Sequence, residues 1–227
     1  MAIALGSIEF DENTTAIREE LKEIGGRDAR AVRLSGIVIG EHSVEAVEAR
    51  LDAILAMVPE DACTTSLAVR PGRRFFVRRT GFSREVNKKT LTGSFVLDVA
   101  ADDPFEQAVV ETAIPWSVTA SGDHLAVETA GTANALWTIV LVPAGDIVRP
   151  AFSDGTRTLV YDGVVADGQG LETDGAAGRV TLDGKDVTPY TEGLFPRIGP
   201  PGASLVYTDE GGSHAASVTV RVRDRWF

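Results

Sequence analysis

The chain alternates strictly between apolar and polar residues over positions 216–223. The apolar positions of one parity are Val218, Val220 and Val222, and the polar positions between and beside them are Ser217, Thr219, Arg221 and Arg223. Successive side chains of a β-strand point to opposite faces, so this pattern predicts a strand with one buried face and one solvated face. A terminal strand held in a sheet in this way is more typical of a rigid scaffold or binding module than of an enzyme.

Further short strands are predicted after residue 130, at 136–142, 158–161, 179–182, 185–188, 204–208 and 216–225. Asp183-Gly184 separates two of them, and this dipeptide is the strongest short hairpin signal in the chain. The turn sets Val180 opposite Val187 on one face of the hairpin. The 23 glycines and 10 prolines agree with many turns between short strands.

The first 130 residues combine a helix with strands. Ser43 is suited to cap the helix and Pro59 to end it. An apolar stripe runs along the helix at Val44, Val47, Leu51, Ile54 and Val58. This stripe predicts packing on a sheet, because its two heptads are short for the alternative of a coiled-coil partner site. Strands are predicted at 31–39, 65–69, 74–79 and 90–99, with a Pro-Gly turn at 71–72 and a hairpin at 116–127.

Residues 14–26 admit two interpretations. Ile17, Leu21 and Ile24 have helical spacing, and the following Gly25-Gly26 would end a helix. A hairpin strand that closes at residues 25–28 is the competing interpretation. We predict the helix and keep the hairpin as the alternative.

These elements predict a mainly β protein with one or two helices. Residues 1–130 are expected to form an N-terminal β-sandwich or split barrel with a packed helix. Residues 131–227 are expected to form a second β-sandwich, with the small and polar stretch 129–134 as the boundary. The length of 227 residues is sufficient for two such domains.

Positive charge is concentrated in one segment of an otherwise acidic chain, whose net charge is −11. Residues 70–89, the basic segment, contain a single acidic residue, Glu85. The basic residues are Arg70, Arg73, Arg74, Arg78, Arg79, Arg84, Lys88 and Lys89. We predict that they form a subunit interface, reaching an acidic surface on a neighbouring copy. The alternatives are an ordinary solvated edge hairpin and, less favoured in so acidic a chain, a nucleic-acid contact.

The sequence contains no arrangement of residues that specifies catalysis. Cys63 is the only cysteine, which excludes an intramolecular disulfide and a cysteine-based zinc site and is consistent with a reducing cytoplasm. His42, His124 and His214 lie beside Gly or Ser in predicted turns, without a carboxylate at ligand spacing. No phosphate-binding glycine loop, signal peptide or membrane span is found. We predict a protein that is not an enzyme and has no metal or cofactor.

The order of these elements resembles siphophage distal tail proteins along essentially the whole chain. The residues that carry the resemblance are the strand 32–36, the helix with Leu51 and Ile54, Asp103-Pro104-Phe105, the hairpin 178–188, Leu194-Phe195-Pro196, Pro200-Pro201-Gly202 and the closing strand 220–227. By this resemblance, residues 1–130 would be a ring-forming domain similar to a tail-tube protein. Residues 131–227 would be a galectin-like β-sandwich, in which Trp137 and Trp226 belong to the core.

The resemblance implies a structural virion protein of a long non-contractile tail. Such a protein forms a homohexameric hub ring at the virion tail tip, after assembly in the host cytoplasm. Its partners would be other copies of itself, the tail tube protein, and the tail-tip hub and receptor-binding proteins, with DNA only as cargo through the channel. The alternative is a carbohydrate-binding module for a host cell-wall glycan, although the sugar-contacting set of true galectins is not matched.

Overall fold

The computed structural model describes residues 3–24 and 27–227. The chain divides into two compact units, Met1–Val109 and Val110–Phe227. This division lies earlier than the boundary predicted after residue 130. The reason is that residues 112–118 and 124–128 both pair with strands of the C-terminal unit, at 216–222 and 202–206 respectively.

The N-terminal unit consists of eight strands and one helix among its described residues. The strands are β1 (Ile3–Leu5), β2 (Ile8–Phe10), β3 (Thr15–Ile24), β4 (Arg27–Val38), β5 (Thr65–Arg70), β6 (Arg73–Asn87), β7 (Thr92–Ala101) and β8 (Glu106–Ala108), and the helix is α1 (Val44–Met57). One sheet has the order β3-β4-β7-β6, and a second has the order β2-β1-β5-β6-β8. The long strand β6 belongs to both sheets, because it pairs with β5 up to Val77 and with β7 from Arg78 onwards. Its ladder with β7 shifts register between Arg79 and Gly81.

Helix α1 begins and ends where the sequence predicts. The Ser43 side chain accepts a hydrogen bond from the Ala46 N–H at 3.1 Å, which caps the first turn. Val47, Leu51 and Ile54 are fully buried in the core of this unit. A Cβ atom at Gly93 of β7 would lie 2.8 Å from Val47 and 2.9 Å from Leu51. Glycine at this position therefore allows the helix to lie directly on the sheet.

The helix predicted over residues 14–26 is wrong, and the hairpin alternative is confirmed. Residues 15–24 pair with β4 at every position, from Thr15 opposite Gly36 onwards. Ile17 packs against the core, whereas Leu21 on the same face is 52% exposed. The 3-4 spacing of the apolar residues was therefore not a helical stripe, because pairing with the apolar β4 determines the structure. The turn at Gly25-Gly26 lies outside the described residues.

The C-terminal unit contains fourteen strands. They are β9 (Thr112–Val118), β10 (His124–Glu128), β11 (Ala133–Pro143), β12 (Ile147–Val148), β13 (Ala151–Ser153), β14 (Thr158–Tyr161), β15 (Val164–Val165), β16 (Leu171–Asp174), β17 (Arg179–Leu182), β18 (Lys185–Asp186), β19 (Thr191–Gly193), β20 (Gly202–Thr208), β21 (Gly211–Gly212) and β22 (Ala216–Trp226). One 3₁₀ turn, Thr188–Tyr190, precedes β19.

Two antiparallel sheets of this unit face each other across one core. The first has the order β18-β17-β16-β11-β22-β9, the second has the order β10-β20-β13-β14-β19, and a small sheet β15-β12-β21 lies beside them. Trp116 of the first sheet contacts Phe152 of the second with their rings 6.4 Å apart. Val218, Val220 and Val222 are buried, which confirms the alternation predicted for the last strand. The mainly β, sandwich-like fold predicted from the sequence is confirmed.

The Asp183-Gly184 turn is confirmed as a two-residue hairpin. Both residues have positive φ, 50° and 79°, as the tight turn requires. The Val187 N–H donates to the Val180 carbonyl at 2.9 Å, as the predicted pairing of these residues demands.

The hairpin predicted at 116–127 is wrong. Strand β9 pairs with β22 in the first sheet, and β10 pairs with β20 in the second. The turn between them therefore carries the chain from one sheet to the other. The Asp123 carboxylate accepts hydrogen bonds from the Thr119 and Ala120 N–H groups at 2.7 and 3.1 Å, which fixes this corner. Turn residues specify a change of direction, but not which strand the next segment joins.

Asp154 is expected to make stability depend on acid pH. Its burial opposes ionisation, but hydrogen bonds from the Arg197, Arg157 and Thr156 N–H groups hold its pKa below the usual 3.8. A lowered pKa stabilises the fold above pH 3.8, and this contribution is lost as the pH falls through the pKa of the folded state. We expect Asp154→Asn to destabilise the protein at pH 7 and the difference from wild type to shrink below pH 3.8. Urea unfolding at several pH values measures this, and a difference that does not change with pH would contradict it.

Candidate subunit interface in the basic segment

The basic segment extends from the end of β5, through the Pro71-Gly72 turn and along β6, into the turn that leads to β7. Gly72 has a φ of 72°, which fits the predicted Pro-Gly turn, and Arg70 pairs with Arg73 across it. Along β6 the basic side chains alternate between faces and pass from one sheet to the other. The segment is continuous in sequence, but its charges do not form one patch.

A buried carboxylate binds the first two arginines. Glu106 of β8 is 2% exposed. Its Oε1 accepts from Nη1 of Arg70 at 2.6 Å, and its Oε2 lies 3.8 Å from Nη1 of Arg73. Arg70 also contacts Glu19 of β3 at 3.3 Å. The hydrogen bond to Glu106 raises the pKa of Arg70, and these contacts tie β5, β6 and β8 together.

Removing the charge of Glu106 is expected to destabilise the N-terminal unit. Glu106→Gln loses charge-assisted hydrogen bonding to Arg70 and places an amide near Arg73, at a cost of about 1–2 kcal/mol in the free energy of unfolding. Chemical denaturation measures this change. Glu9→Gln, at an exposed site on β2, is the control and should change stability by less than about 0.5 kcal/mol. Equal effects of the two variants would contradict the structural role of Glu106.

The other arginines of the segment also have partners within their own unit. Arg78 lies 3.4 Å from Asp102, and Arg79 lies 2.7 Å from Glu60. Arg84 binds Asp52 of α1. Arg74 lies over the ring of Phe76, with 5.0 Å between the guanidinium carbon and the ring centroid. Much of the positive charge of the segment is therefore compensated inside the subunit.

Lys88 and Lys89 are different. Both are exposed in the turn between β6 and β7. The Asn87 side chain accepts from the Lys89 and Thr90 N–H groups at 3.0 and 3.3 Å, which orders this turn. Neither lysine forms a salt bridge with a side chain that the structure describes, and Lys88 acts through its charge on Glu45, helping to lower the pKa of that residue. Of the eight basic residues predicted at the interface, Lys88 and Lys89 therefore have the positive charges most available to another chain.

Two strand edges accompany this charge. In the described part of the chain β3 pairs with β4 alone, and residues 81–87 of β6 pair with β7 alone. These are the two outer strands of the β3-β4-β7-β6 sheet. Glu19 and Glu20 lie on β3, and each already contacts an arginine of its own unit. Arg84 lies on β6 and binds Asp52, and the two lysines follow this strand. Unpaired edges with residues of opposite charge are suited to pairing with another copy of the chain.

Sequence reasoning missed the acidic partners of these arginines. Glu19, Asp52, Glu60, Asp102 and Glu106 lie far from them in sequence. Glu106 follows Asp103-Pro104-Phe105, which predicts only a turn, so no local signal indicated a buried carboxylate. These contacts arise from the packing of β3, α1 and β8 around β6, which only the fold reveals.

One histidine contact was also missed. The Nδ1 atom of His214 lies 2.5 Å from Oδ1 of Asp209, whose side chain is fully buried. Burial, followed by the influence of the nearby Asp209 carboxylate, raises the pKa of Tyr207. His214 follows Asp209 by five residues, and its backbone is left-handed, with a φ of 56°.

The described residues contain no group of three or more His, Cys, Asp or Glu that is arranged to hold a metal ion. They also include no helix with the length and apolar character of a membrane span.

Comparison with solved structures finds a protein of the same architecture. It is the Dit protein (gp 19.1) of phage SPP1, described as a paradigm of the hub adsorption apparatus of phages that infect Gram-positive bacteria. The similarity has a TM-score of 0.70 at 14% sequence identity and covers 100% of this chain and 99% of that one. No family model and no curated protein matches the sequence. From end to end, this chain has the fold of a phage distal tail protein.

Proposed function

We propose that this protein is a structural hub protein of a long non-contractile phage tail, located at the tail tip. The observation that carries the proposal is the full-length similarity to the SPP1 hub protein, which includes both units and leaves almost no part of either chain unmatched. The residues agree with this function, because the buried groups serve packing and ion pairing and the sequence has no catalytic motif. The tail tube and the tail-tip and receptor-binding proteins are the proposed neighbours, and DNA passes only as cargo.

The subunits are proposed to assemble into a homohexameric ring through the N-terminal unit, while the C-terminal unit forms a galectin-like sandwich. Support comes from the two unpaired edges, β3 and residues 81–87 of β6, at opposite ends of one sheet. A head-to-tail contact between such edges repeats from copy to copy, and it closes into a ring when the rotation from one copy to the next completes a full turn. The exposed Lys88 and Lys89 would meet the acidic β3 of the neighbour. The arginines of the basic segment would support this contact indirectly, by fixing β6.

The alternative of a glycan-binding module lacks the feature that it requires. It needs an exposed aromatic residue on a concave sheet face. The exposed aromatic residues in the described chain are Tyr190, in the 3₁₀ turn, and Phe227, after the last strand. Trp137 is 5% exposed, as expected for a core residue, whereas Trp226 is only half-buried and lies outside the buried core, contrary to the prediction. We therefore favour the hub function.

Immunogold labelling tests the proposed location. Gold-conjugated antibodies against the purified chain would be applied to phage particles produced by the strain that encodes it, and the particles would be imaged by electron microscopy. Labelling at the end of the tail supports the proposal. Particles that lack the label, or label spread along the tail tube, would contradict a tail-tip hub.

A further inference from the structure

The N-terminal unit has a surface hollow with an apolar wall. This hollow, which we call the β4 hollow, has a volume of about 340 Å³ and lies between the end of β2, the beginning of β3, the end of β4 and helix α1. Ile37 and Ile39 line it, although their side chains are 53% and 57% exposed. Two large aliphatic side chains exposed at one hollow form an apolar patch, which is typical of an interaction surface.

The charged residues of the β4 hollow are mostly acidic. Glu9, Asp11 and Glu41 line it, together with one basic residue, Arg50. One oxygen of Asp11 accepts hydrogen bonds from the backbone N–H and the side chain of Asn13, each at 2.8 Å. No salt bridge joins the three acids to a side chain that the structure describes. A cationic and partly apolar segment therefore fits this hollow best.

The turn between β6 and β7 is such a segment. Lys88 and Lys89 are exposed in it, and the nearby Leu91 is half-buried. Leu91 has a φ of 52°, a left-handed backbone that glycine adopts at a lower cost. Leu91 is not among the described residues that pack against the core of this unit. The core therefore does not explain a leucine at this strained position, whereas a contact with a neighbouring copy would explain it.

The sheet places this turn and the β4 hollow at the same end, on opposite edges. Gly93 of β7 pairs with Val86 near the end of β6 and with Val38, the last residue of β4. Thr15, the first residue of β3, pairs with Gly36. The end of β6 and the beginning of β3 therefore lie at one end of the β3-β4-β7-β6 sheet. Three antiparallel pairings separate these two edge strands, so β3 and β6 run in opposite directions.

A head-to-tail ring brings the two features together. All copies in such a ring have the same orientation relative to its axis, so the β6 edge of one copy meets the β3 edge of the next as an antiparallel pair. The β6–β7 turn of the first copy then lies beside the β4 hollow of the second. The acids farther along β3 are less available to this turn, because Glu19 and Glu20 already contact arginines of their own unit.

We propose that the β4 hollow receives the β6–β7 turn of a neighbouring copy. Lys88 and Lys89 face the acidic residues of the hollow, and Leu91 covers its two isoleucines. This contact rests on the proposed function, because it requires a ring of copies of this chain. It adds to that function a defined surface on each side of the subunit interface.

Exchange of charge between the two surfaces tests this contact in the full chain. Lys88→Glu with Lys89→Glu should weaken self-association by at least about tenfold, and so should Glu9→Lys with Glu41→Lys. The variant with all four changes regains opposite charges across the contact and should recover most of the association. Sedimentation of the wild type and the three variants measures this. Thermal unfolding of each variant verifies that its subunit is folded.

Two further variants test the apolar part of the contact. Ile39→Ser should weaken self-association by about tenfold, because it removes an aliphatic side chain that the neighbouring copy covers. Leu91→Gly should do the same and keep an unfolding temperature close to that of the wild type, because relief of the left-handed backbone offsets the greater freedom of the unfolded chain. Val164→Ser, at a 50% exposed site of the C-terminal unit, is the control and should associate like wild type.

The outcomes separate this contact from the hub proposal. Weaker association of each charge-reversed pair, recovered when the pairs are combined, supports the contact. Two results would overturn it and leave the hub proposal standing: equal association of the wild type and all variants, or a combined variant that associates no better than either pair alone. A wild type that never self-associates would contradict the ring itself, and this contact with it.

Discussion

Replacing Trp137 with alanine is expected to lower the free energy of unfolding of the C-terminal unit by about 3–5 kcal/mol. Trp137 lies in β11 and is 5% exposed. A Cβ atom at Gly175 would lie only 2.2 Å from the indole ring, so backbone packs directly against it. Alanine would leave a cavity that the fixed strands cannot close, and the Pro196 carbonyl would lose its donor.

Urea unfolding measures the effect of Trp137→Ala, followed by the fluorescence of the two remaining tryptophans. Leu194→Ala is the matched control, because Leu194 is 60% exposed and immediately precedes Phe195, whose ring contacts Trp137. We expect the control to change stability by less than about 0.5 kcal/mol. A loss below about 1 kcal/mol for Trp137→Ala would contradict its place in the core.

Reversing the charge of Lys88 and Lys89 together is expected to weaken self-association by at least about tenfold. Both ammonium groups are exposed at the end of the β6–β7 hairpin, without an ion pair in the described chain. Glutamates in their place would repel the acidic β3 of a neighbouring copy. The subunit itself should keep most of its stability, because neither lysine forms a salt bridge with the side chains that the structure describes, and Lys88 acts on Glu45 only through its charge.

Sedimentation at several salt concentrations measures this association. Lys185→Glu with Arg179→Glu makes the same change of charge on an exposed hairpin of the C-terminal unit and should assemble like wild type. Arg78 and Arg79 are unsuitable for this test, since their reversal would break the ion pairs with Asp102 and Glu60 inside the subunit. Unchanged assembly of the Lys88/Lys89 variant would remove this turn from the interface.

Local signals in the sequence predicted the features that depend on few neighbouring residues. The alternation of Val218, Val220 and Val222 gave a buried strand face, and Ser43 gave the start of the helix. The Asp183-Gly184 pair gave the hairpin, because both of its residues tolerate positive φ. These features follow from the periodicity of apolar residues and from the backbone preferences of single residues, and both can be read from the sequence alone.

Features that depend on distant partners were not predictable in this way. Residues 14–26 have the apolar spacing of a helix, but pairing with β4 makes residues 15–24 a strand. The chain at Asp123 turns into the other sheet, where the sequence suggested a simple hairpin. The same long-range pairing moves the boundary between the units ahead of β9. In each case tertiary contacts override a local preference.

The candidate interface shows how the fold redistributes charge. The sequence placed eight basic residues in one run of twenty, which suggested a single positive surface. The strand alternates their side chains between faces, and packing supplies acids such as Glu106, Glu60 and Asp52 to the arginines. A basic segment of this kind stabilises its own subunit first, and its exposed end is then the part available for a partner.

The mass of the purified 227-residue chain in solution tests the central claim most directly. It is measured by native mass spectrometry and by sedimentation over a range of protein concentrations. We predict a closed homohexamer at moderate salt that dissociates as the salt concentration rises, because the contacts between copies include exposed charges. A monomer at every concentration and salt condition would contradict the proposal that this chain builds a hub ring from its own copies.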